Sequence, residues 1–117
     1  MPGELTIEMM NTLDQLEAEY QTISNAYEDF DTNDRFESPN QREQMAEAMK
    51  VALMNWVRAK NRILGESDAT ITSLSTAAAK AQKEIDKALE ELKNIKAILN
   101  IITKAVTTVS SVVATLA

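Results

Sequence analysis

From Leu74 to Leu116 the chain carries thirteen apolar residues spaced alternately by four and three, with no glycine or proline among them. That rhythm is the a/d pattern of a helix whose apolar stripe follows a neighbouring helix. It predicts one helix over residues 67–116, begun by Ser67 or Asp68, either of which can cap it. At a rise of ~1.5 Å per residue, about 50 residues would reach roughly 75 Å. A compact domain of this length has a radius of gyration of only about 13–14 Å. An elongated molecule is therefore expected.

Two further segments repeat the same spacing. Met9, Leu13, Leu16, Tyr20, Ile23, Tyr27 and Phe30 mark a helix over about 4–30, followed by a polar linker at 31–38. Ser38-Pro39-Asn40-Gln41 is a start signal: serine caps, proline is preset at the first helical position, and Gln41 completes a capping box. Met45, Met49, Ala52, Trp56, Ala59 and Ile63 carry the second helix over about 39–64, with Gly65 placed to end it in a left-handed conformation. Two glycines and two prolines in 117 residues leave little for the turns of a strand-based fold. The expected class is all-α and a single domain: an elongated antiparallel hairpin or three-helix bundle with heptad packing and one very long C-terminal helix.

Two packings suit those lengths. In one, the first two helices fold together over the first half of the third, and the acidic Glu4 and Glu8 approach the basic Arg58, Lys60 and Arg62. In the other, the first two helices lie roughly in line along the whole third helix, with 31–38 as a mid-limb interruption. Each leaves an uncovered apolar stripe, so a homo-oligomer or a helical protein partner is expected.

Catalytic equipment is scarce. Histidine and cysteine are absent, which removes the commonest general base, the commonest transition-metal ligand and any disulfide. No phosphate loop, dinucleotide fingerprint or nucleophile elbow occurs. Read as a calcium loop from Asp29, the acidic linker has Asp34 where glycine is needed and Asn40 where a bidentate glutamate belongs. Glu84, Asp86, Glu90 and Glu91 alternate with Lys80, Lys83, Lys87 and Lys93, as exposed intrahelical ion pairs do. No catalytic residue, cofactor or metal site is expected. Residues 1–37 carry a net charge of -9, 38–65 carry +3, and the remainder balances, giving -6 overall. An acidic chain with no clustered basic face does not suit nucleic acid.

Function is expected instead at the C-terminal stripe. Past Lys104 the chain holds no charge, and Val, Thr, Ile and Ser dominate residues 101–117. Branched side chains make this a weak helix former that needs contacts to persist. The expected partner interface is Ile95, Leu99, Ile102, Val106, Val109, Val113 and Leu116. Trp56, the sole tryptophan, is a packing residue by position and a candidate hot spot by type. The leading expectation is a non-enzymatic interaction module: an adaptor, a small chaperone or inhibitor, or a subunit of a helical assembly. The alternative is a membrane-active translocator or pore component whose residues 97–117 enter lipid, since ~20 residues cross a bilayer. The N-terminus lacks the pattern of a cleaved secretory signal, which favours the cytoplasm and leaves signal-independent secretion open.

Overall fold

The computed structural model describes residues 5–116, and four α-helices account for most of them. Helix α1 spans Ile7–Thr32, α2 Pro39–Arg62, α3 Asp68–Glu91 and α4 Ile95–Val113, with a short 3₁₀ turn at Ile63–Gly65. The Glu4 expected at the start of the first helix lies outside the described residues.

The start and stop chemistry explains most of the boundaries. Thr6 Oγ1 accepts from the Met9 amide, Ser38 Oγ from Gln41, and Ser67 Oγ from Thr70, so each of the first three helices opens on a hydroxyl cap. Gln41 reaches past Ser38: its Oε1 accepts from the Glu37 amide at 2.8 Å. Helix α1 ends in a Schellman motif, with the Arg35 amide donating to the Phe30 carbonyl and the Asp34 amide to that of Asp31. Asp34 takes the left-handed position at φ 55°. Gly65, expected to do so at the end of α2, has no left-handed φ and closes the 3₁₀ turn instead.

The long third helix does not form. It breaks at Leu92–Asn94, and α4 turns back along α3. Leu92 is extended at ψ 141°, and Asn94 caps the new helix, its side chain accepting from the Ala97 amide at 3.2 Å. The heptad rhythm passes through the break unchanged, so spacing alone cannot reveal it. Energetics favour the fold-back. Interrupting the helix removes a few hydrogen bonds worth about 1 kcal/mol net each, partly replaced by the cap. Turning back buries Ile95, Ile98, Leu99, Ile102, Val106, Val109 and Val113, each worth roughly 1.5–3 kcal/mol.

The result is a four-helix bundle with principal extents of 51 × 22 × 20 Å and a radius of gyration of 14.8 Å. A 75 Å helix has no place in it, and neither expected packing is realised. α1 packs on α2 and α3, and α4 on the same two, so α1 and α4 occupy opposite corners. Glu8 meets Thr72 and Thr22 meets Gln82, which sets α1 and α3 parallel. Gln44 meets Thr103, and Asn55 meets Val106, so α2 and α4 run parallel too. The α2–α3 connection therefore crosses the end of the bundle diagonally.

Candidate functional site

All seven residues of the expected interface stripe face the interior of this bundle. Ile95, Leu99, Ile102, Val106, Val109, Val113 and Leu116 are between 0% and 5% exposed and belong to one core cluster with residues of α1, α2 and α3. The stripe is thus brought together along one helix face and covered by the chain's own helices.

What covers it was only partly legible. On α1 the fully buried series is Met9, Thr12, Leu16, Glu19, Ile23 and Phe30, whereas Leu13, Tyr20 and Tyr27 are half-buried and pack against the core from its flank. On α2, Ala48 and Asn55 are buried where the apolar pattern pointed to Met49 and Trp56. The displacement has a geometric cause. A bundle helix faces two neighbours, and bulky side chains such as Tyr20 and Trp56 fit at the seam between α1 and α2. The residue before each one then turns toward the crowded centre.

Three polar side chains reach the centre in this way: Thr12, Glu19 and Asn55. Thr12 donates back to the Glu8 carbonyl at 2.8 Å, the usual refuge of a buried helical hydroxyl. Asn55 Nδ2 donates to the Val106 carbonyl at 3.2 Å, tying α2 to α4. Glu19 has no exposed surface, and neither carboxyl oxygen has a hydrogen-bond partner. Burial alone pushes its pKa from 4.5 up to about 8, since loss of water penalises the charged form and no neighbouring cation offsets it. An acid–base catalyst must reach a substrate proton, and a carboxyl with no exposed surface does not.

Trp56 lies half-buried on the α2 flank, with Lys60 Nζ 5.4 Å from its ring centroid. The acidic linker is committed to ending α1 and starting α2. Asn33 Nδ2 binds both the carbonyl and the carboxylate of Asp29, and Arg42 pairs with Asp31 at 2.7 Å. Phe36 packs beside Tyr27 and Phe30, with ring centroids 5.5 and 5.9 Å away. Among the described residues, no three carboxylates gather closely enough to hold a metal ion. An open groove of about 360 Å³ where α3 meets α4 is lined by Ala88, Leu92 and Ile101 together with the charged Glu84, Lys87, Glu91 and Lys104. No family model, curated protein or solved structure matches this chain.

Proposed function

We propose that the protein is a non-enzymatic helical interaction module whose α4 stripe engages a helical partner when α4 leaves the bundle. The observation that carries this reading is Glu19. A carboxyl sealed in the core without a hydrogen-bond partner destabilises the closed state. It loosens a bundle whose fourth helix is joined through only three non-helical residues, Leu92–Asn94. Of the four helices α4 is also the most apolar, and its outward face past Lys104 carries hydroxyls rather than charges.

The test is exchange of α4 for its own copy. A fluorescent peptide of residues 95–116 is mixed with the full-length chain and followed by anisotropy. Uptake of the peptide is expected to become faster as pH rises from 6 to 8, because opening becomes easier, and to be slower in a Glu19→Leu chain. A peptide carrying Leu99→Asp and Val106→Asp should not bind, since each change would bury an unpaired charge. Failure of the wild-type peptide to bind at about 100 μM over a day would refute the proposal; that concentration corresponds to an affinity of only ~5–6 kcal/mol.

The membrane-active reading draws on one specific feature of α4. Thr107, Thr108 and Ser111 each donate their hydroxyl to a carbonyl four residues back, at 2.7–3.1 Å. Their polar demand is met within the helix, as it must be in lipid. The helix has 19 residues and a mean hydropathy of 1.3, enough by length and composition to cross a bilayer. Vesicle flotation and dye release decide this reading, and it fails if full-length protein neither floats nor causes leakage from pH 5 to 9.

A further inference from the structure

We infer that the outer α1–α2 face, in the half of the bundle holding the start of α1, is a homodimer surface. A second copy would dock there about a two-fold axis parallel to the helices.

The six large hydrophobic side chains that stand exposed among the described residues all lie in that half: Leu5, Ile7, Met10, Met54, Val57 and Leu64. Met9 and Ile63 share one small core cluster, which fixes the antiparallel register of α1 against α2. Met10 is therefore level with the last turn of α2. At 100° per residue, Met10 on α1 and both Val57 and Leu64 on α2 fall just outside the seam between these two helices. They form one apolar strip with exposures of 43%, 37% and 41%, extended by Ile7 at 73%.

The charges beside the strip favour this chain as its own partner. On α1 the outward row continues through Asp14 and Glu17, while on α2 it holds Lys50 and Lys60. A two-fold axis parallel to the helices lays α1 of one copy over α2 of the other at the same level. Met10 then meets the partner's Val57 and the partner's Leu64, and the acidic row of α1 meets the basic row of α2. The operation repeats every pair, so each complementary contact counts twice. The half of the bundle side that holds the strip is about 25 by 22 Å, roughly 550 Å² per partner, the size of a small, weak interface rather than of a permanent one. The opposite sides of the bundle present no comparable strip of large apolar side chains among the described residues.

Sedimentation equilibrium of the full-length protein at pH 6 tests the inference, with Trp56 emission as a local probe because it borders the face. Pairing is expected in the micromolar range. Met10→Glu with Val57→Glu should weaken it at least tenfold while leaving helicity and melting temperature unchanged, since both positions are exposed. Lys60→Glu alone should weaken it about fivefold, and adding Asp14→Lys, the acidic residue nearest its level, should restore most of that loss, in line with paired rim charges. A monomer up to several hundred micromolar would overturn the inference, as would a dimer indifferent to these changes. Adhesion of the monomer to anionic vesicles through the same side chains would do so too. The α4-exchange mechanism stands or falls separately, because docking on this face leaves α4 covered.

Discussion

Replacing Glu19 by leucine is expected to stabilise the bundle by about 3 kcal/mol at pH 7, and by less as the pH falls. In the folded chain the carboxyl is held neutral, with its pKa pushed up to about 8, whereas in the unfolded chain it ionises near 4.5. Between those values the unfolded state binds fewer protons than the folded state, so stability falls as pH rises through this window. It is flat below 4.5 and above 8. Each pH unit above 4.5 costs ~1.4 kcal/mol, which gives about 3 kcal/mol at neutrality and about 5 kcal/mol by pH 8. For a domain holding 5–15 kcal/mol in total, that loss is enough to loosen it. Urea unfolding followed by Trp56 emission and far-ultraviolet circular dichroism, from pH 4.5 to 9, measures it. The difference between wild type and Glu19→Leu isolates this carboxyl from the surface acids, and near neutrality it amounts to about 10 °C in Tm. Glu19→Gln keeps the shape and removes the ionisation, so it should flatten the pH dependence with a smaller gain, its amide remaining unpaired. If the difference between wild type and Glu19→Leu stays constant from pH 5 to 8, Glu19 is not the buried carboxyl described above.

Two changes probe the fold-back of α4. Asn94→Ala removes the cap that starts the helix and should cost about 1 kcal/mol, or ~4 °C in Tm by calorimetry. Ile102→Ala, at a fully buried position, should cost about 2–5 kcal/mol in urea unfolding, whereas Ile101→Ala on the half-buried neighbouring position should cost clearly less.

Much of this architecture was legible because its causes are local. Helical class follows from an apolar period near 3.5 and from the scarcity of turn residues. The starts at Ser38 and Ser67 follow from capping chemistry that needs only neighbouring backbone. The apolar stripe of α4 was also identified residue by residue, because burial of one helix face shows in spacing whatever the face packs against.

Three features depended on the whole. Asn94 is an unremarkable residue within a helical pattern until α4 has a groove to turn into, and the burial gained there outweighs a few interrupted hydrogen bonds. Glu19 and Asn55 carry no apolar signal of their own, and the spacing selects their neighbours Tyr20 and Trp56 for the stripe. Only the meeting of α1 and α2 sends those large rings to the seam and the polar neighbours to the centre. Finally, whether the α4 stripe faces this chain or another is not a property of the stripe. Periodicity shows that a helix face is to be covered, whereas the identity of its cover is decided by which other helices the connections allow to reach it.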